Sequence, residues 1–178
     1  MPTAARPAAI TPTRRHAVLA DTPVGPLTLV AEGGALVGLW MVEQRHHPGE
    51  AAHGAPAPDD PLLARAAGQL EEYFAGERTG FDLPLAPAGT EFQRRVWGAL
   101  LDIPYGETTS YGELATELGS PGASRAVGLA NGRNPIGIVI PCHRVVGSAG
   151  SLTGYGGGLD RKRLLLDLEQ RVAGHHLF

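Results

Sequence analysis

Cysteine is nearly absent from this chain: only one of its 178 residues, Cys142, carries a thiol. One cysteine cannot form an internal disulfide, which fits a reducing compartment. It also excludes the cysteine-rich zinc sites of small zinc domains, so we expect no metal. The histidine pairs His46–His47 and His175–His176 lie in polar segments and are expected to be solvated rather than to act as ligands.

Long apolar runs are also absent. No stretch approaches the roughly 18 apolar residues that cross a membrane, and residues 1–15 lack the apolar core of a signal peptide. We therefore expect a cytoplasmic protein with no membrane partner. Residues 1–13, rich in alanine, proline and threonine, are predicted to form a disordered tail, and 173–178 a short second tail.

Acidic side chains are missing from one stretch. The net charge of −3 argues against wholesale electrostatic capture of nucleic acid. Its distribution is uneven, because residues 1–89 carry 6 basic and 10 acidic side chains whereas residues 90–178 carry 9 and 8. Residues 119–158 contain no acid and three arginines, Arg125, Arg133 and Arg144. These arginines could form a basic face that binds phosphate, although three in forty residues are also unremarkable.

The first half of the chain has the pattern of a small sheet with one helix. Short apolar runs separated by turn residues predict an antiparallel meander with strands at 16–20, 25–31 and 35–41. The polar segment 42–61 is predicted to be a mobile loop. Asp60 can cap a helix that begins at Pro61 and has one apolar face.

The second half is predominantly helical and follows a linker at 76–87, which predicts domains at 14–88 and 89–172. Thr90 can cap the first helix and Ser110 the second, a short one at 111–118. A glycine turn joins the second to a third helix at 123–131, and a last helix is predicted at 159–172. Two short helices joined in this way form the helix-turn-helix pattern of DNA-binding proteins, which many other helical hairpins share.

The single cysteine follows an apolar run at 136–140 and directly precedes His143. The run predicts a buried strand that ends at Pro141, which has no N–H to donate. A thiol and an imidazole at a strand end indicate nucleophilic chemistry. An equally good interpretation of this stretch alone is a core strand ending in a buried free cysteine.

Glycine is concentrated after this stretch, at 154 and 156–158. The Walker sequence and the dinucleotide fingerprint are both incomplete here, so no nucleotide cofactor is expected. Close approach of the backbone to a flat or bulky ligand is a better use of these glycines.

Taken together, these motifs resemble the O6-alkylguanine-DNA alkyltransferase family, the methylated-DNA–protein-cysteine methyltransferases. The segment 141–145 (Pro-Cys-His-Arg-Val) matches the family's active-site signature, and further matches extend from Phe92 to Glu169 at the family's spacings. They lie at 111–115, 124–128, 134–135 and 154–159. The first half is similar in architecture only. The resemblance implies an α+β fold: a ribonuclease H-like sheet plus helix, joined to a mostly helical domain with a helix-turn-helix.

The resemblance also implies a reaction in which an alkyl group, mainly methyl, moves from guanine O6 to Cys142 in a single irreversible turnover, with O4-alkylthymine as a further candidate substrate. Thiolate is the best side chain for attacking an alkyl carbon. His143 would be the base, acting through a water because adjacent residues on an extended chain point apart, and Glu169 would orient it. On the residues alone, Glu169 is better explained as a solvated carboxylate near a helix end.

Further roles follow from the same resemblance. Tyr111 would donate to guanine N3, although a tyrosine there also suits a helix core. Asn134 would brace the turn that carries Cys142. Backbone groups near Val145 and at Tyr155–Gly156 would contact the O6 side of the base. The expected pocket comprises Pro141, Val145, Tyr155, Gly156 and Gly157.

Double-stranded DNA is the expected partner, bound through its minor groove by a monomer without an obligate protein partner. Arg125 would replace the reacting base, which must be rotated out of the helix. Small residues would let the second hairpin helix approach DNA closely; they are Ala123, Ser124, Ala126 and Gly128. Two alternatives stay open, namely a cysteine hydrolase and a DNA-binding protein that recognises alkyl lesions without chemistry.

Overall fold

The computed structural model describes residues 13–174, so His175, His176 and nearly all of the predicted N-terminal tail lie outside it. The first half contains four strands: β1 Arg14–Leu19, β2 Leu27–Glu32, β3 Ala35–Met41 and β4 Ala55–Pro56. They form one sheet in the order β3-β2-β1-β4. The antiparallel β1-β2-β3 meander is confirmed, and β4 adds a parallel strand beside β1.

The segment 42–61 is more ordered than its composition predicts. A 3₁₀ turn spans Glu50–His53, and β4 follows it. The backbone of β1 accounts for this order, because its free edge accepts a hydrogen bond from the Ala57 N–H at 2.8 Å. The prediction of a mobile loop is therefore wrong for residues 50–57. His46 is exposed as expected, but His47 is half-buried against Trp40.

Within residues 13–174, five helices and a second, two-stranded sheet complete the fold. The helices are α1 Pro61–Phe74, α2 Glu91–Leu100, α3 Tyr111–Glu117, α4 Ser124–Gly132 and α5 Leu159–Val172. The short strands β5 (Thr109–Ser110) and β6 (Val145–Val146) pair in parallel. All three predicted caps are confirmed: Asp60 accepts two backbone N–H bonds, and Thr90 and Ser110 each form a capping box.

The two halves share one apolar core. The Leu39 N–H on β3 donates to Pro135 O at 2.9 Å, which joins the sheet to the segment before Cys142. In the second half, α2 and α3 both pack on α4. The Trp97 indole N–H of α2 donates to Ala130 O of α4 at 2.9 Å. These contacts hold the helical hairpin formed by α3 and α4 next to the segment that carries the cysteine. Across residues 13–174, no helix has the length and apolar character needed to cross a bilayer.

The apolar run before the cysteine is a buried turn and not the predicted strand. Every residue from 136 to 140 is buried, and the Ile140 N–H bonds Ile136 O at 3.0 Å. Ile138 has a left-handed backbone with φ of 70°. An unbroken apolar run indicates burial but does not distinguish a strand from a compact turn. The regular strand, β6, begins after the cysteine instead.

Candidate active site

Cys142 begins a 3₁₀ turn, Cys142–Arg144, directly after the buried turn at 136–140. The Asn134 side chain holds this arrangement, because its amide nitrogen donates to Ile140 O at 2.7 Å and its oxygen accepts from the Ile136 N–H at 3.0 Å. At the end of α4, the Asn131 amide nitrogen donates to Cys142 O at 3.3 Å. The sulfur-bearing residue is therefore fixed by two buried asparagines.

The Cys142 thiol is protonated in the resting protein. Only 7% of the residue is exposed. Burial raises the pKa of the thiol, and the Asn134 side chain and the Lys162 charge only partly offset that effect. Chemistry at this sulfur consequently needs a base.

His143 and Glu169 form a buried pair beside the thiol-bearing turn. The His143 Nε2 lies 2.6 Å from Glu169 Oε2, and both side chains are fully buried. The interpretation of Glu169 as a solvated helix-end carboxylate is thus wrong. The local geometry also differs from the expected extended chain, because Cys142 and His143 lie on a tight turn.

The charge of Glu169 is matched by a second partner, Arg144. Its Nε donates to Glu169 Oε1 at 2.7 Å and its Nη2 to Oε2 at 3.2 Å. Tyr73 donates its hydroxyl to Oε2 at 2.6 Å, and the Gly106 N–H lies 3.3 Å from Oε1. Burial alone would raise the pKa of Glu169, but the His143 and Arg144 contacts outweigh it and lower the pKa to about 2. Glu169 is therefore ionised at neutral pH.

His143 is neutral in this setting. Burial lowers the pKa of its imidazole, and Glu169 only partly offsets that effect. Because His143 is neutral, Arg144 is the residue that carries the positive charge next to Glu169 before the reaction. Since Glu169 accepts a hydrogen bond from the Nε2–H, the lone pair lies on Nδ1, which is buried and has no hydrogen-bond partner within residues 13–174. A neutral imidazole with a free lone pair is equipped to accept a proton.

Arg144 does not belong to a phosphate-binding surface, contrary to the interpretation that grouped it with Arg125 and Arg133. It is 7% exposed, donates to Ile103 O at 2.7 Å and lies over the Tyr105 ring. Arg125 and Arg133 are exposed. The acid-free stretch therefore contributes two surface arginines rather than three.

Lys162 is a buried residue of the site that sequence reasoning missed. Its ammonium donates to Val145 O on β6 and to Thr153 O in the following loop at 2.8 Å. Burial lowers the pKa of Lys162 to about 8. Val145 also donates its N–H to Cys142 O. The Val145 N–H is therefore not free to donate to guanine O6, contrary to the expectation from the resemblance.

A cavity of about 470 Å³ opens between α4 and the glycine-rich loop. The predicted residues it brings together are Tyr111, Ser124, Arg125, Gly128, Tyr155 and Gly156. The Tyr111 hydroxyl donates to Thr153 O at 3.1 Å. Cys142 does not line this cavity; burial, with a smaller effect of the Cys142 charge, raises the pKa of Tyr111 and Tyr155, which do line it. Pro141 is buried with Cys142, and Gly157 packs closely on Met41 and Tyr155.

Comparison with known families accounts for nearly the whole described chain. The DNA binding domain of 6-O-methylguanine DNA methyltransferase matches residues 91–171, and the ribonuclease-like domain of the same protein family matches residues 16–87. The chain belongs to the 6-O-methylguanine DNA methyltransferase family. Its α+β fold, with a ribonuclease-like first half and a DNA-binding second half, is the fold of this family.

Individual members of the 6-O-methylguanine DNA methyltransferase family are close in sequence. A methylated-DNA–protein-cysteine methyltransferase of Mycobacterium tuberculosis is 58% identical over 153 residues, which cover 86% of this chain and 91% of the relative. One from Methanosarcina acetivorans is 50% identical, with 84% and 94% covered. The crystal structure of M. tuberculosis OGT in complex with DNA superposes with a TM-score of 0.80 at 55% identity, over 89% of this chain and 93% of that one.

Two members of the buried cluster, Tyr73 and Arg144, were not predicted from the sequence to belong to it. Tyr73 lies 96 positions before Glu169, and helical spacing assigns it only to the apolar face of α1. Arg144 directly follows the Cys-His pair, which suggested a place in the site, but its charge suggested a place on the surface. Within residues 13–174, no group of three or more potential ligands is arranged to hold a metal ion.

Proposed function

We propose that this protein repairs DNA by moving an alkyl group, mainly methyl, from O6 of guanine to the sulfur of Cys142. The observation that carries this proposal is the buried His143–Glu169 pair beside the chain's one cysteine. A thiol held protonated by burial, next to a neutral imidazole with a free nitrogen, is a nucleophile that can be activated on demand. The family relationship supplies the substrate class.

The proton moves from the thiol to His143. Nε2 is bonded to Glu169, so Nδ1 is the nitrogen that receives the proton, through a bridging water. The imidazolium that forms is stabilised by the ionised Glu169 at 2.6 Å. The new S–C bond forms as the C–O6 bond breaks, and the electron pair of the broken bond leaves with guanine. Solvent then returns a proton to guanine and takes one from His143.

The reacting base must leave the DNA stack to reach Cys142. The residue is 7% exposed and does not line the cavity, so a base that stays stacked in the duplex could not approach its sulfur. Helix α4 supports a close approach to the minor groove. Its N-terminus has no side-chain cap, and its first turns carry small side chains; they are Ala123, Ser124, Ala126 and Gly128. Arg125, exposed on the same helix, fills the space that the base vacates.

Tyr111 assists departure of the guanine. Its hydroxyl lies at the cavity wall and in the free protein is bonded to Thr153 O, so it must turn to reach guanine N3. A hydrogen bond there stabilises the negative charge that develops as the alkyl carbon leaves. The thioether product has no group nearby that could cleave it. We therefore infer one transfer per protein molecule, by a monomer, with O4-alkylthymine as a second substrate.

Replacing Arg125 by alanine is expected to slow repair of methylated duplex DNA about 10- to 100-fold, because a stacking contact contributes about 1–3 kcal/mol. Reaction with free O6-benzylguanine should stay within about twofold, since no base needs to be displaced. Single-turnover rates on both substrates give the comparison. The control is Arg171→Ala, which removes an exposed arginine from the end of α5. An equal loss on both substrates would rule out the stacking role.

The stoichiometry separates alkyl transfer from cysteine hydrolysis. Product formed from excess methylated oligonucleotide should rise in one burst to one equivalent of protein and then stop. Continued release of product after that burst would favour the hydrolase. Binding to methylated DNA with no burst at all would favour a protein that recognises the lesion without chemistry.

A further inference from the structure

The loop that follows β3, residues 42–46, extends to the cavity between α4 and the glycine-rich loop. The Arg45 N–H donates to Gly156 O in the glycine-rich loop at 2.8 Å. Arg161 on α5 donates to Val42 O at 2.8 Å, which fixes the loop from a second side. Arg45 and His46 both line the cavity, together with the α4 residues Ser124 and Arg125. The loop is thus part of the candidate active site, although no catalytic group lies in it.

The charges around this cavity are all of one sign. Two cations, Arg45 and Arg125, line it, and no carboxylate does. Arg133 and His46 line the adjoining groove, where again no carboxylate is present. The nearest acid in sequence, Glu43, lines a different cavity on the sheet side. Burial, followed by the charges of Arg133 and Arg45, lowers the pKa of His46, which shows that these cations act on one region.

The side chains of Arg45, Arg125 and Arg133 make no hydrogen bond or ion pair with any residue of the described range 13–174. By contrast, five other arginines are paired with carboxylates, namely Arg14, Arg15, Arg65, Arg78 and Arg144. Arg94, Arg163 and Arg171 also lack a partner there, but they lie on α2 and α5 away from this cavity. Two unpaired guanidinium groups at one cavity, with a third in the groove that adjoins it, fit a polyanion.

We propose that Arg45, assisted by Arg133, binds the phosphates that flank the rotated nucleotide, so that the first half of the chain takes part in DNA binding. This proposal rests on the proposed function. A base that has entered the cavity stays attached to its own two phosphates, which must therefore lie at the opening. Arg45 lines the cavity and is exposed, as is Arg125. Guanidinium groups bind phosphate oxygens with paired hydrogen bonds, and such contacts fix position without reading sequence.

The test compares Arg45→Gln with wild type for binding to a duplex containing one O6-methylguanine. Both proteins carry Cys142→Ala, so that binding is not followed by reaction. Loss of one phosphate contact should lower the slope of log affinity against log salt by about 1, with about a tenfold loss of affinity at low salt. Arg171→Gln, the matched control, should change neither quantity. In proteins that retain Cys142, Arg45→Gln should slow reaction with methylated duplex DNA more than reaction with free O6-benzylguanine, which carries no phosphates.

A second duplex locates the contact. It carries neutral methylphosphonate linkages on both sides of the methylated guanine, which removes the charges that Arg45 is proposed to bind. Arg45→Gln should have no further effect on affinity for this duplex. An unchanged salt slope on the normal duplex would overturn the proposal, and so would a full Arg45→Gln effect on the neutral duplex. Failure of wild-type protein to alkylate Cys142 is a separate outcome, which would overturn the proposed function and this proposal with it.

Discussion

Alkyl transfer from methylated duplex DNA should fall by about a thousandfold or more when Cys142 is replaced by alanine, while affinity for that DNA stays within about twofold. The sulfur forms the new bond, and no other thiol exists in the chain. DNA contacts, by contrast, are proposed to lie on α4 and at the cavity opening. The substitution removes one buried atom. It leaves intact the hydrogen bonds that the Cys142 backbone makes with Ile140 O and with the Asn131 side chain. Transfer of labelled methyl groups and equilibrium DNA binding measure the two quantities.

The serine variant sharpens this prediction. Cys142→Ser keeps the size of the side chain but offers a hydroxyl, which ionises far less readily than a thiol and is a poorer nucleophile for alkyl carbon. It should be as inactive as the alanine variant. Removal of methyl groups by either variant at the wild-type rate would show that Cys142 is not the acceptor.

Glu169→Ala should be the most destabilising single substitution in the site, with a loss of about 3–5 kcal/mol in the free energy of unfolding. Glu169 is fully buried and accepts hydrogen bonds from His143, Arg144 and Tyr73. Removing the carboxylate leaves the buried Arg144 charge without its counter-charge, which is the main cost. Urea unfolding followed by fluorescence gives the free energy.

Tyr73→Phe is the matched control for Glu169→Ala. It removes one hydrogen bond to the same carboxylate but leaves the ion pair with Arg144, so its cost should be about 1–2 kcal/mol. Equal losses for the two variants would mean that the buried charge is unimportant and that packing alone explains the effect.

The pH dependence of stability identifies the charge separately. The pKa of Glu169 is about 2 in the folded protein, below the value of roughly 4.3 of an unfolded glutamate. A depressed pKa stabilises the fold above the unfolded value, and that contribution disappears as pH falls toward the folded pKa. Wild type should therefore lose stability between about pH 5 and 2 more steeply than Glu169→Gln. A parallel decline in both proteins would contradict the assignment of charge to Glu169.

Sequence reasoning succeeded where local chemistry decides the structure. Asp60, Thr90 and Ser110 begin helices because their side chains satisfy free N–H groups a few residues ahead. It failed at residues 136–140, because an unbroken apolar run shows burial without showing the shape of the backbone. It also failed in part of 42–61, where order comes from the edge of β1 rather than from the loop's own residues.

The site was only partly predictable for a related reason. Cys142 and His143 are adjacent, so their spacing showed them together, and the family resemblance extended this to Glu169. Arg144 and Tyr73 became visible only once the fold had brought α1 and α5 against the turn. The residue types were misleading in both cases. A charged arginine is expected at the surface, but Arg144 is buried. A tyrosine on an apolar helix face is expected to serve packing, but Tyr73 contributes through its hydroxyl. Arg45 lies in the acidic first half of the sequence. Its place at the cavity depends on the fold, in which its N–H donates a hydrogen bond to Gly156 O.

The central claim is that Cys142 keeps the alkyl group, and intact-mass spectrometry tests it most directly. Wild-type protein incubated with duplex DNA containing O6-methylguanine should gain about 14 Da, one methyl group in place of a thiol hydrogen, and peptide mapping should place it on Cys142. An unchanged mass after the DNA has been demethylated, or a methyl group on any other residue, would contradict the account.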